Sequence, residues 1–185
     1  MALDFAILGF LNYHPYTGYD LKKIFDTSIR HFWPADQSQI YRTLARLSES
    51  GLTEIELVEQ SDRPDRKVYH ITPKGRETLR AWLGGPVPSQ EPHSAPLIQV
   101  FFSGQLSDEE ILAKFQVVTT MFRMILAGYD QVPGQIENYT REIGSPRESY
   151  FWMLTLDLGI RTMRAQIEWG EEVIRALESK QIPPA

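Results

Sequence analysis

Asp36-Gln37-Ser38-Gln39-Ile40-Tyr41-Arg42-Thr43-Leu44-Ala45-Arg46-Leu47-Ser48-Glu49-Ser50-Gly51, continued by Leu52–Glu59 and Lys67–Thr72, is the stretch that decides the fold. It reads as a helix with an Asp N-cap and a Gly stop, and Ile40, Leu44 and Leu47 are spaced to face a core. The other side carries Ser38, Gln39, Arg42 and Arg46. Leu52–Glu59 and Lys67–Thr72 then alternate with the period of strands, joined by the charged turn Gln60-Ser61-Asp62-Arg63-Pro64-Asp65-Arg66.

Working outward, Leu3–Leu11 is a strongly apolar helical segment closed by His14-Pro15-Tyr16-Thr17-Gly18. Thr17 suits the N-cap of a second helix with Leu21, Ile24 and Phe25 on its apolar side, which ends before Trp33-Pro34-Ala35. Beyond the hairpin, Thr72-Pro73 starts a further helix with Leu79, Trp82 and Leu83 on its apolar side. Three helices and then a hairpin is the order of a winged helix-turn-helix. A helix lying in the major groove needs short amides, hydroxyls and arginines, because Gln reads adenine edges and Arg reads guanine or phosphate. Ser38, Gln39, Arg42 and Arg46 make such a set, with Gln37 beside them at the helix start. Arg63, Arg66 and Lys67 suit a backbone contact from the wing.

Charge sharpens this reading. The 185 residues hold 19 Lys+Arg against 24 Asp+Glu, a net charge of −5 that by itself argues against nucleic acid. Residues 1–84 are balanced at 11 against 11, and residues 85–185 hold 8 against 13, so the acidic excess belongs to the second half. Between them Gly84-Gly85-Pro86-Val87-Pro88-Ser89-Gln90-Glu91-Pro92-His93-Ser94 is too rich in Pro and Gly for a helix or strand. The expected division is a winged helix at 1–84, a linker at 85–94 and a helical domain at 95–185. The expected fold class is mainly α with a small β-hairpin.

In the second half, Leu97–Phe102 opens the helices and Ser107-Asp108-Glu109-Glu110 starts a longer one, whose apolar stripe from Ile111 to Leu126 ends at Gly128. A shorter segment is expected around Ile136–Ile143. Gly144-Ser145-Pro146 opens a stretch of some 33 residues, Arg147–Ser179, which as a helix would extend ~50 Å. Its apolar residues cover more than one stripe, which predicts a homodimer with Trp152, Leu156, Ile160, Met163, Ile167 and Ile174 as dimerisation candidates. A two-fold dimer also sets two recognition helices one DNA turn, ~34 Å, apart. Phe101, Phe102, Met121, Phe122, Met124, Tyr150, Trp152 and Met153 are candidates for lining a pocket for a small hydrophobic or aromatic effector.

The chain has no cysteine, which excludes disulfides, thiolate metal sites and thiol nucleophiles and fits a reducing cytoplasm. His14, His31, His70 and His93 show no metal-ligand spacing, so no metal or other cofactor is expected. No nucleophile elbow or phosphate-binding glycine loop is present, and an enzyme is not expected. No signal peptide or membrane-spanning segment is predicted.

Ser38-Gln39-Ile40-Tyr41-Arg42-Thr43-Leu44-Ala45-Arg46-Leu47, Gly51-Leu52 and Arg63-Pro64-Asp65-Arg66-Lys67-Val68-Tyr69-His70-Ile71-Thr72-Pro73-Lys74-Gly75 resemble the PadR family of bacterial transcription regulators. Leu8-Gly9 and Gly18-Tyr19-Asp20-Leu21 match its first two helices, so the resemblance covers residues 3–80. Ala95–Gly104 is similar to the start of the helical C-terminal domain of longer PadR-like regulators, including virulence-gene activators. The resemblance implies a homodimer that binds operator DNA, probed through Tyr41 on the recognition helix, Tyr19 on the second helix, and Arg63, Arg66 and Lys67 on the wing. Many members carry Pro where this chain has Arg42, which adds a long cationic side chain. The other reading of these residues is a winged-helix protein-interaction or effector-sensing module without sequence-specific DNA contact.

Overall fold

The computed structural model describes residues 2–30, 32–59, 66–86, 94–134, 141 and 143–183. Arg63, His31, His93, most of the expected linker and most of the expected 136–143 segment lie outside them. The described chain divides into two compact units.

The first unit runs α1 (Ala2–Tyr13), β1 (Tyr16–Thr17), α2 (Gly18–Thr27), α3 (Gln37–Glu49), β2 (Thr53–Val58), β3 (Arg66–Ile71) and α4 (Pro73–Leu83). Side chains start its helices. The Thr17 hydroxyl accepts from the Asp20 N–H at 3.1 Å, Asp36 caps α3, and the Thr72 hydroxyl accepts from the Gly75 N–H at 3.0 Å with Pro73 in the first turn. Ile7, Leu8, Leu21, Phe25, Ile40, Leu44 and Leu47 fill the core between α1, α2 and α3. Tyr69, Ile71 and Leu79 close it from β3 and α4.

The sheet has the order β1-β3-β2, with Tyr16 opposite Tyr69 and Ile55 also opposite Tyr69 on the other edge. The expected two-stranded hairpin thus gains a third strand of two residues. The hairpin strands pair as expected, but the expected alternation is absent from β2, where only Thr53 is buried and Leu57 stands exposed. Leu83, expected on the apolar side of α4, is also exposed, while Trp82 stacks at 4.5 Å on Phe5 of α1 and stays half-open.

The second unit runs α5 (Ala95–Phe101), a short 3-10 turn (Ser103–Gln105), α6 (Asp108–Tyr129) and α7 (Pro146–Glu178). Ser107 and Glu110 form a reciprocal capping box at α6, and Ser145 caps α7. Ile111, Phe115 and Leu177 are its buried centre, with Val173 and Ile174 packed against them. α6 and α7 approach closely where Gly170 meets the buried Thr119, since a Cβ at Gly170 would collide with the Thr119 hydroxyl. By length and composition, the helical stretch Asp108–Gly134 is apolar enough to cross a membrane, although Lys114, Gln116 and Arg123 interrupt it. Its apolar residues form one broad face opposite Gln116, Thr120 and Arg123, and the side of that face around Phe115 and Thr119 packs on α7.

The six dimerisation candidates share one stripe of α7, each at least partly covered by the chain itself. Leu156 is 1% exposed within its own chain, and Trp152, Ile160, Met163, Ile167 and Ile174 are all half-buried. They follow the helical spacing of Gly170 and Leu177 and so lie on the stripe that packs against α6. The apolar residues left open include Val117, Met121, Met124 and Ile125 on α6 and Tyr150, Phe151, Met153, Leu154, Leu158 and Trp169 on α7.

Candidate nucleic-acid interface

The start of α3 concentrates the predicted residues. Gln37, Ser38, Gln39, Tyr41 and Arg42 are all exposed there, while Ile40, Thr43 and Leu44 are buried behind them. Helical periodicity alone separates these sets, and the buried set holds the polar one on a fixed surface.

Hydrogen bonds divide that surface further. The Ser38 hydroxyl donates to Asp36 Oδ1 at 2.6 Å and the Gln39 N–H donates to the same oxygen at 2.8 Å. These two bonds, the Ser38 hydroxyl first, hold the Asp36 carboxyl below its ordinary 3.8, so it is ionised at neutral pH and faces the positive end of α3. Gln39 Oε1 accepts from the Asp36 N–H at 3.1 Å, completing a capping box. That bond bears on readout. A glutamine reads adenine with both its donor and its acceptor, and here the acceptor is engaged in the cap. Arg42 Nε donates to the Ser38 carbonyl at 3.3 Å and its Nη2 reaches the Ser38 hydroxyl at 3.5 Å, which folds the guanidinium back along the exposed face of α3.

Two other predicted cations are held inside the unit. Arg46 is ion-paired to Asp4 of α1, and Arg66 Nη2 lies 3.4 Å from Asp20 Oδ2 of α2. Asp20 Oδ2 also accepts from the Thr17 hydroxyl at 2.7 Å. The guanidinium of Arg66 therefore ties the root of the wing to the start of α2. Lys67, opposite Leu57, is exposed on β3. Tyr19 is exposed on α2 with Lys23 Nζ 4.5 Å from its ring centroid. His70 Nε2 lies 2.7 Å from Glu56 Oε2 across the hairpin, which gives this histidine a structural partner.

Gly18 was not singled out from the sequence as a site residue. It is buried at the first position of α2, directly beneath the Tyr41 ring. Tyr69 is buried nearby, and its hydroxyl is pushed above the usual tyrosine value by that burial first and by Tyr41 second.

In the second unit a cavity of about 560 Å³ is walled by Leu97, Val100, Phe115, Val118, Phe122 and Trp169. Met121 and Phe122 line it as expected; Phe101, Phe102, Met124, Tyr150, Trp152 and Met153 do not. Gln166, also in its wall, has its Oε1 buried with no hydrogen-bond partner among the described residues. Among the described residues no group of His, Asp or Glu is placed to hold a metal ion.

A three-helix core with a wing, presenting the polar start of its third helix to solvent, defines a winged-helix transcription regulator. Residues 7–81 match the Transcriptional regulator PadR-like family and residues 94–178 match Virulence activator alpha C-term. A probable transcriptional regulator of Mycobacterium tuberculosis is 30% identical, spanning 98% of this chain and 100% of that one. The chain belongs to the PadR-like family of transcriptional regulators. Bacillus subtilis PadR in complex with operator DNA shares the fold at a TM-score of 0.81 and 24% identity, with 96% of this chain and 99% of that one covered. The same Bacillus protein has been solved with p-coumaric acid. The virulence activator AphA of Vibrio cholerae is 26% identical with a TM-score of 0.75, covering 96% of this chain and 99% of that one.

Proposed function

We propose that this regulator represses transcription in the cytoplasm by occupying a pseudo-palindromic promoter operator as a homodimer, without any catalytic step. The unit at 1–84 supplies DNA contact and the unit at 95–185 supplies dimerisation, with 85–94 linking them. The observation that carries the reading is the exposed, capped start of α3, where Ser38, Tyr41 and Arg42 stand together over a buried apolar face.

Within that surface Arg42 is the base or phosphate reader, since among the described residues its side chain is held by the long bonds to Ser38. Gln37, Ser38 and Tyr41 contact DNA beside it, and Tyr19 contacts the backbone. Gln39 serves chiefly as the cap and Arg46 chiefly as an anchor to Asp4. Lys67 and Arg63 meet phosphate from the wing, and Arg66 joins them once released from Asp20. The test uses a duplex selected by the full-length protein from a random pool. Arg42→Ala is expected to lower affinity for the selected duplex by ~1–3 kcal/mol and relax its sequence preference, whereas Lys67→Ala weakens all duplexes alike and reduces the salt slope by about one. Wild-type binding by both variants in a quantitative gel shift would refute the recognition surface and favour a winged-helix interaction module.

The apolar stripes left open on α6 and α7 form the dimer surface. The cavity beneath α5 is the site for a small aromatic effector, because its walls are apolar and Gln166 offers an acceptor to a ligand hydroxyl or N–H. With p-coumarate as the probe, binding is expected to change the Trp169 fluorescence and to release the selected duplex, and Gln166→Leu to weaken that response about fivefold. A duplex complex indifferent to the probe would remove an aromatic acid as effector.

A further inference from the structure

We infer that Gly18 is a positioning residue for DNA recognition: its bare backbone is the seat that fixes the Tyr41 ring at the DNA-facing end of α3. The inference rests on the proposed DNA contact of Tyr41 and adds the residue that holds the ring in place. A Cβ built on Gly18 would lie 2.6 Å from Tyr41 Cε1, 2.8 Å from Cζ and 3.2 Å from Cδ1. The first two are closer than a Cβ approaches another atom in folded proteins, and the third is tighter than most such contacts. Gly18 is buried although Tyr41 is 42% exposed, so one side of the ring covers the glycine and the other is open.

The backbone gives no separate reason for glycine. Gly18 does not adopt a left-handed conformation, and glycine inside a helix costs roughly 0.5–1 kcal/mol relative to alanine. Space for the ring is the remaining reason. The glycine is also unable to retreat. Thr17, its neighbour, pairs with Val68 of β3 and caps α2 through the Asp20 N–H. Asp20 in turn holds Arg66. A methyl group at position 18 therefore meets a fixed backbone behind it and a half-open side chain in front. The ring yields, swinging away from the place where it would meet DNA, and the fold stays intact.

The experiment compares Gly18→Ala, Tyr41→Ala and the double variant in the full chain, reading affinity for the selected duplex, affinity for a scrambled duplex, and the thermal midpoint. Gly18→Ala is expected to lower affinity for the selected duplex about tenfold and leave the scrambled duplex unaffected. In the Tyr41→Ala background the same substitution should change nothing, since no ring remains to displace. Unchanged affinity in Gly18→Ala overturns the seat, as does a further loss in the double variant. Should Gly18→Ala lower the thermal midpoint, the double variant decides: recovery to the Tyr41→Ala midpoint supports the seat, and a persisting loss overturns it. Tyr41→Ala binding like wild type would instead remove the DNA contact of Tyr41 on which the inference rests.

Discussion

Replacing Val117 and Met124 together by glutamate is expected to turn the protein into a monomer and to lower its affinity for a duplex carrying both half-sites by about a hundredfold. The two residues are 70% and 71% exposed and stand with Met121 on one stripe of α6, at positions i, i+4 and i+7. Among the described residues little covers them. Exposed methionine and valine at helical spacing on α6, with Leu154 and Leu158 also open on α7, are apolar surface of the kind that partners bury. Carboxylates placed in such a contact would have to lose water without a counter-charge, which disfavours association strongly. Because both positions face solvent, the helices themselves should persist, with an unchanged circular dichroism spectrum. Gln116→Glu, an exposed change on the other side of α6, is the charge control and should leave the dimer intact. Sedimentation velocity showing a dimer in the double glutamate variant would place the interface elsewhere.

The same substitutions at Leu156 or Ile174 would unfold the unit rather than dissociate it, and this contrast shows where the sequence could and could not be read. Period 3.6 shows that α7 has apolar stripes, but not which one its own chain covers. The stripe from Trp152 to Ile174 shares the helical spacing of Gly170 and Leu177, where α7 meets α6. Local chemistry was far more legible. Thr17, Asp36, Thr72 and Ser107 start helices where their side chains predict, because a cap is decided within three or four residues. Contacts across long separations were not legible. β1 has two residues and exists only because β3 pairs with it, and the Arg46–Asp4 and Arg66–Asp20 pairs join residues 42 and 46 apart in sequence. Gln39 lies between these cases. Its spacing from Asp36 fits a capping box, whereas its amide equally fits an adenine edge, and only the bond from the Asp36 N–H assigns the oxygen to the cap.

Gly75→Ala tests the packing that carries the wing, and here propensity and structure predict opposite signs. Gly75 sits in the first turn of α4 with no left-handed backbone, so helix propensity alone would make alanine more stable by up to about 1 kcal/mol. Its Cβ, however, would collide with the Leu52 carbonyl oxygen and come within 2.8 Å of Ile71 Cγ1. That carbonyl cannot move aside cheaply, because it accepts the Thr72 N–H at 3.1 Å where the sheet passes into α4. The Gly75 N–H meanwhile holds the Thr72 cap. Overpacking a buried backbone contact costs typically 1–3 kcal/mol, occasionally more, and exceeds the propensity gain. The expected result is a net loss of about 2 kcal/mol, a fall of roughly 10 °C in the melting midpoint of the winged unit. Gly18→Ala supplies the comparison, since its methyl meets a movable ring and should cost recognition with little stability. A Gly75→Ala protein that melts at or above the wild-type temperature would show that α4 shifts freely against Leu52, and that this contact does not fix the wing.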